Sequence, residues 1–92
     1  LLTQPHLIRA TVAEKRENPA DATRALSRLL FLNPDDPADI HFRLAKSLHA
    51  QGKMEDAKRQ TLMALEEAPR YRDAHQLLLK LVRQSLPELP SN

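Results

Sequence analysis

Apolar residues recur every three to four positions along most of the chain, the spacing that places them on one face of an α-helix. Prolines and the single glycine fall mainly between these stretches. We therefore predict five helices with short connections, at about 5–15, 19–32, 37–50, 54–67 and 71–85, and a frayed tail at 87–92. One glycine leaves few sites for hairpin turns, so an all-α fold is expected.

Two of the predicted helix starts share one capping pattern, Asn18-Pro19-Ala20-Asp21 and Asp36-Pro37-Ala38-Asp39. The first side chain can accept a hydrogen bond from a first-turn amide, and proline at the first helical position loses no donor that the helix needs. The following carboxylate faces the positive end of the helix. The pattern predicts helix starts at 19 and 37, and Gly52 predicts a helix end that requires a positive φ.

A repeat of about 35 residues runs through these helices. His6, His41 and His75 are spaced 35 and 34 residues apart. Four further pairs, each displaced by 35 residues, are Ala22 and Ala57, Leu26 and Thr61, Leu30 and Leu65, and Pro34 and Pro69. This period predicts stacked antiparallel helix pairs.

The repeat divides the chain into units at about 3–35 and 37–70 and a lone terminal helix at 71–85, within a single domain at 1–86. Small residues are expected where paired helices approach most closely, because a methyl group permits a short interaxial distance. The candidates are Ala10, Ala22, Ala45, Ala57 and Ala64. The three repeated histidines are expected to pack between helices, with one ring nitrogen hydrogen-bonded.

The segment from Ala38 to Pro69 resembles a tetratricopeptide repeat. His41-x2-Leu44-Ala45-x2-Leu48, Ala57-x3-Thr61, Ala64 and Pro69 overlie the W-x2-L-G-x2-Y…A-x3-F…P pattern of that family. The resemblance extends over about two and a half repeats. It implies an α-α superhelix of antiparallel helix pairs that acts as a non-catalytic scaffold for protein interactions.

In that family the first helix of each unit lines a concave groove that binds a peptide or protein segment. Here the equivalent residues are Leu7, Thr11 and Glu14, then Phe42, Lys46 and His49, then Gln76, Lys80 and Arg83. Each trio falls on one helical stripe, because residues three and four apart share a face. The cations among them suggest an acidic peptide as ligand.

The alternative is a structural appendage. Leu1 is not an initiator methionine, so we expect the chain to be part of a longer protein, such as a bacterial enzyme. Leucines encircle more than one face of the last helix, and Leu77 and Leu81 are candidate residues for self-association or for packing on another domain. A homodimer is then one expected state. Only a measurement can choose between the two hypotheses.

Composition and charge disfavour some classes of binding partner. The chain has 14 Lys and Arg against 12 Asp and Glu, a net charge of +2, with 3% aromatic residues. The cations are scattered and few aromatics can stack on bases, so nucleic acid is disfavoured. No apolar run approaches the roughly 20 residues that cross a bilayer, so no membrane partner is expected. The sequence assigns no compartment, since it has no cysteine and no signal-peptide pattern.

Catalysis is not expected. Helical zinc ligands usually lie three or four residues apart, and no two of the four histidines do so. The sequence contains no Gly-rich phosphate loop and no His-Glu-x-x-His motif. We expect neither enzymatic activity nor a metal or cofactor.

Overall fold

The computed structural model describes residues 3–32 and 34–85, with side chains at 7–32 and 34–84. These residues form five helices: α1 (Thr3–Lys15), α2 (Pro19–Phe31), α3 (Pro37–Ala50), α4 (Met54–Glu67) and α5 (Arg72–Ser85). The described part of the chain contains no strand. The prediction of five helices is confirmed, and α1 begins two residues earlier than predicted. The predicted tail at 87–92, Leu86 and the His6 side chain lie outside the described residues.

The two capping patterns form as predicted. The Asn18 side chain accepts from the amide of Asp21 at 3.3 Å, and the Asp36 side chain accepts from the amide of Asp39 at 3.2 Å. Each bond satisfies one of the first-turn amides that have no partner inside the helix. Both helices that begin with proline are thus fixed at their starts by local chemistry.

The 35-residue repeat is also present in the backbone. α1 ends with a hydrogen bond from the Asn18 amide to the Ala13 carbonyl at 2.8 Å, and α3 ends with the same bond from Lys53 to Leu48 at 3.0 Å. These are the long bonds of a Schellman motif, which needs a residue with positive φ just before the donor. Gly52 occupies that position in α3 with φ 78°, as predicted. In α1 the position is taken by Glu17 with φ 55°, which the sequence did not reveal.

Each helix packs mainly on its neighbours in sequence, and α3 also touches α5. The molecule is elongated, with principal extents of 56 × 28 × 18 Å. Connections of three to five residues between packed helices leave room only for antiparallel neighbours. The fold is therefore a linear stack in which contacts are local.

Small residues occupy the centre of this stack. All five predicted alanines are inaccessible to solvent: Ala10, Ala22, Ala45, Ala57 and Ala64. Ala74 at the start of α5 is equally buried. Because these positions hold only a methyl group, the helices can approach closely there, while leucines such as Leu26, Leu29 and Leu81 fill the rest of the core.

The repeated histidines do not share one environment. His41 is half-buried, and its Nδ1 lies 2.7 Å from Oε1 of Gln60, which joins α3 to α4 as expected for a packing residue. His75 is exposed, and its Nε2 donates to the Pro69 carbonyl at 2.7 Å. The expectation that His75 packs between helices is wrong. Within the described residues, no helix follows α5 to provide the partner that α4 provides for α3.

The apolar residues of α5 are arranged differently from the expectation. Leu77 and Leu81 belong to the core, with 9% and 0% of their surface exposed. In the folded chain they are therefore not an open surface for self-association, since α5 uses them to pack on the rest of the array. The exposed apolar residues of α5 are Leu79 at 60% and Val82 at 39%.

Candidate docking groove

An ion-paired arginine joins the first helices of the two complete units. The Arg43 guanidinium donates two hydrogen bonds to Glu14, at 2.6 and 3.0 Å, and a third to Thr11 at 3.2 Å. Asp39, one turn before it on α3, lies 3.6 Å away. The hydrogen bonds that Arg43 donates to Glu14 raise the pKa of Arg43 above its ordinary value, although burial opposes this shift. The geometry is a bidentate fork that sets α1 against α3.

This arrangement changes the role of two predicted groove residues. Thr11 and Glu14 were expected to present free side chains to a ligand, but both are bonded to Arg43. Sequence reasoning did not identify Arg43, because the signal for it is a contact between residues 29 and 32 positions apart. Leu7, the third member of this stripe, is half-buried against the core.

An aromatic pair joins α3 to the start of α5. The rings of Phe42 and Tyr71 are 5.0 Å apart at an angle of 48°, and the Lys46 ammonium lies 4.8 Å from the centre of the Phe42 ring. Phe42 is 9% exposed, so this predicted groove residue belongs mainly to the core. Lys46 thus makes a cation–π contact with the buried Phe42 ring while its side chain stays exposed.

Tyr71 carries a shifted ionisation. Burial raises the pKa of its hydroxyl above the ordinary value, and the charges of Asp39, Asp73 and Asp36 add to the shift, while Arg43 opposes it. Tyr71 was also missed by sequence reasoning, although it is the only tyrosine in the chain. Its importance arises from its position just before α5, where it can reach Phe42.

A second contact joins the far ends of α3 and α5, where Nε2 of His49 lies 2.7 Å from Oε1 of Gln84. Phe42 and Tyr71 lie near the starts of these helices, whereas His49 and Gln84 lie near their ends. The two helices therefore run side by side in the same direction. This places the stripe of Lys46 next to the stripe of α5 on one face of the array.

The residues predicted to line the groove therefore differ in exposure. Phe42 is buried, Thr11, Glu14 and His49 are engaged within the chain, and four residues are exposed: Lys46, Gln76, Lys80 and Arg83. Three of these four are cationic. They form the cationic face, which we define as Lys46, Gln76, Lys80 and Arg83.

The adjoining part of the groove carries the opposite charge. A cavity of about 560 Å³ lies between α1, the start of α2 and α3, and its lining includes Glu14 and Glu17 on one side and Lys46 on the other. Because Glu14 is paired with Arg43, Glu17 supplies the acidic charge at the end of α1, and the charge becomes cationic towards α5. A ligand spanning both parts would need the reverse order of charges.

Among the described residues, no three histidine or acidic side chains are grouped so that they could hold a metal ion. Nor does any described helix have the length and apolar character needed to cross a membrane. Comparison of the chain with protein-family models, with curated proteins and with solved structures gave no match.

Proposed function

We propose that the chain is a non-catalytic protein-interaction module built on tetratricopeptide-like helix pairs, and that it binds an extended peptide along the face formed by α1, α3 and α5. The observation that carries the proposal is the set of exposed cations, Lys46, Lys80 and Arg83, beside groove residues Glu14 and His49 whose polar groups are already bonded within the chain. A preorganised surface loses less entropy when a ligand binds.

The charge gradient predicts how the peptide lies. Acidic side chains of the ligand are expected at the cationic face, and a basic side chain near Glu17, because the Glu14 carboxylate is already paired with Arg43. Opposite charges that face each other favour the correct register and increase the association rate. A peptide with the two charge types in reversed order should bind more weakly than its parent, even though its composition is identical.

The test is selection from a displayed library of random peptides, followed by affinity measurement for the enriched sequences. We expect acidic residues to be enriched, and Lys46→Glu combined with Lys80→Glu to weaken binding by at least about tenfold. Arg59→Glu is the matched control, because Arg59 is an exposed cation on α4 outside this face. Ligands that bind equally well to the double variant and to the unaltered chain would exclude the cationic face as the site.

A second candidate function, a structural appendage, is favoured by one observation on α5. Leu79 is 60% exposed, whereas Ala45, its equivalent 34 residues earlier, is fully covered. In α3 the face that carries Ala45 packs on α4. The equivalent face of α5, which carries Leu79, is open in the described part of the molecule. Such a face suits another domain of a longer protein or a second copy of this chain.

Light scattering over a range of concentrations tests the self-association form of this alternative. A dimer that Leu79→Asp abolishes would support it. Leu62→Asp is the control, because Leu62 is a similarly exposed leucine on α4. A monomer at all concentrations would remove self-association and leave only packing against another domain.

A further inference from the structure

The outer face of the first helix pair contains a second groove that the cationic face does not include. Its cavity of about 520 Å³ lies between α1 and α2. Four arginines line it: Arg9, Arg16, Arg24 and Arg28. The apolar side chains beside them are Ile8, Val12, Ala13 and Ala25. We define these eight residues as the arginine groove.

Apolar surface in this groove is unusually open. Ile8 is 59% exposed and Val12 is 42% exposed, and they lie four residues apart on one face of α1. Phe31, three residues after Arg28 on α2, is 91% exposed but does not line the cavity. The exposed isoleucine and valine on one face of α1 form the kind of apolar patch that marks an interaction site.

The groove carries a net positive charge. Its lining includes a single carboxylate, Asp21, which is already paired with Arg24 and accepts a hydrogen bond from the Asn18 side chain at 2.8 Å. In the part of the chain that the structure describes, no carboxylate pairs with Arg9, Arg16 or Arg28. The groove therefore carries uncompensated positive charge around an apolar floor, and the complementary ligand is acidic with an apolar face.

The repeat indicates which backbone form fits this groove. Val12 corresponds to Ser47, 35 residues on, yet Val12 is 42% exposed and Ser47 only 6%. The difference arises because α3 packs against α2, while no described helix covers the equivalent side of α1. In the second unit, α2 thus covers the side of α3 that corresponds to the exposed side of α1. A helix is therefore the backbone form that this side can accept.

We propose that the arginine groove binds an acidic amphipathic α-helix, whose apolar face covers Ile8 and Val12 and whose carboxylates pair with the arginines. Arginine suits this role because its planar guanidinium can bind a carboxylate through two parallel hydrogen bonds. A nucleic acid fits less well, because the lining contains apolar side chains and no aromatic ring for base stacking. A second copy of this groove would bring positive charges together.

The probe is a synthetic amphipathic helix of about five turns, with leucines on one face and glutamates flanking them. Methyl and amide NMR spectra of the unaltered chain should change at Ile8, Val12 and Ala25 as the probe is added, and not at Lys80 or Arg83. Fluorescence anisotropy of the labelled probe gives the affinity, which should fall as salt is raised.

Variants test the charges and the apolar floor separately. Arg16→Glu with Arg28→Glu should weaken binding by at least about tenfold, and Ile8→Asp should do the same without altering the arginines. Arg59→Glu is the matched control, since Arg59 is the residue 35 positions after Arg24 and is also exposed. Lys46→Glu with Lys80→Glu should leave this binding unchanged, which separates the arginine groove from the site under Proposed function.

Three results would overturn the proposal. A scrambled probe of identical composition that binds equally well would show that charge alone acts. A single-stranded oligonucleotide that binds more tightly and displaces the probe would assign the groove to nucleic acid. Self-association that Ile8→Asp removes, without any spectral change on adding the probe, would assign it to a second copy. The NMR measurement needs no variant, so misfolding of a variant leaves the test intact.

Discussion

The two complete helix pairs, α1–α2 and α3–α4, share one backbone plan but distribute large and small residues differently within it. Ala13 corresponds to Leu48, 35 residues on, and Leu29 corresponds to Ala64. All four side chains are buried. Where the first pair has a small residue on its first helix and a large one on its second, the second pair has the reverse. Equivalent buried positions therefore do not keep residue size, and each unit fills its core with its own arrangement of large and small side chains.

Outside the pair interface the two units diverge, because their neighbours differ. Ser47 is buried beneath the first pair, whereas its counterpart Val12 is exposed. Gly52 allows the left-handed helix end without strain, whereas Glu17 adopts the same conformation with a Cβ atom. The comparison teaches that periodicity sets the interior of a unit and that the position in the stack sets its surface.

The largest expected effect comes from the matched buried positions Leu26 and Thr61, both fully inaccessible. Leu26→Ala should lower the free energy of unfolding by about 2 to 5 kcal/mol, because it removes apolar contacts and leaves a cavity. Thr61→Ala should cost only about 1 kcal/mol, since it removes a methyl-sized group and the hydroxyl bond to the Ala57 carbonyl at 2.7 Å. Urea unfolding of both variants checks this. Equal losses of unfolding free energy in the two variants would contradict the difference in side-chain packing between the two pairs.

Overpacking gives the next largest effect. Ala22→Leu and Ala57→Leu should each destabilise the fold by about 1 to 3 kcal/mol, because both positions are fully buried and a leucine would push the helices apart. Ala50→Leu is the control at an exposed alanine and should change stability by less than about 0.5 kcal/mol. Thermal midpoints of the three variants provide the measurement. Identical midpoints would contradict the close approach of the helices.

The link between the two units is tested at Arg43. Its side chain is 14% exposed and that of Glu14 is 28% exposed, so the pair is partly shielded from water. Arg43→Leu should cost about 1 to 2 kcal/mol, between the values for exposed and buried pairs. Arg59→Leu breaks the exposed pair with Asp56 and should cost at most about 0.5 kcal/mol. A double-mutant cycle with Glu14→Gln isolates the interaction energy between Arg43 and Glu14. An interaction energy of zero would contradict a stabilising link between the two units.

The two helix ends provide a matched pair of small effects. Glu17→Gly should stabilise the fold by about 0.5 to 1 kcal/mol, because glycine adopts positive φ without a Cβ clash. Gly52→Ala should destabilise it by about 1 kcal/mol for the same reason, even though no neighbouring atom lies within 4 Å of the added Cβ. Chemical unfolding of both variants gives the sign of each change. Two changes of the same sign would show that the ends are not equivalent.

The smallest effect concerns the start of α5, where Tyr71 stands 35 residues after the capping residue Asp36. The raised pKa of Tyr71 means that the folded chain keeps its phenol proton when the unfolded chain has already lost it. The associated stability is complete below the unfolded pKa near 10 and is lost as pH rises through the folded pKa. Tyr71→Phe should therefore weaken the alkaline loss of stability.

Titration of phenolate absorbance checks this directly, because the chain has one tyrosine and no tryptophan. The folded chain should titrate at higher pH than the chain unfolded in denaturant. Coincident titration curves would show that burial and the nearby carboxylates do not raise the pKa of Tyr71 in the folded chain.

The local features were predictable from the sequence by itself. The helix starts at Pro19 and Pro37, the helix end at Gly52, and the buried alanines follow from capping geometry, the φ preference of glycine and a repeated spacing. Each depends on residues within one or two turns, or on a period that can be counted. Lys46, Lys80 and Arg83, which the repeat placed on the stripes of the predicted groove, are exposed, and their role in binding stays a prediction.

Only the tertiary structure decided which equivalent residues share an environment. His41 bonds to Gln60 on α4, whereas His75 bonds to the Pro69 carbonyl in the connection before α5; Leu81 is buried while Leu79 is exposed. The bonds of Arg43 to Glu14 and the open arginine groove also depend on which helix lies beside which. Sequence spacing gives the face of a helix, but burial depends on whether a neighbour covers that face, and that is a property of the assembled stack.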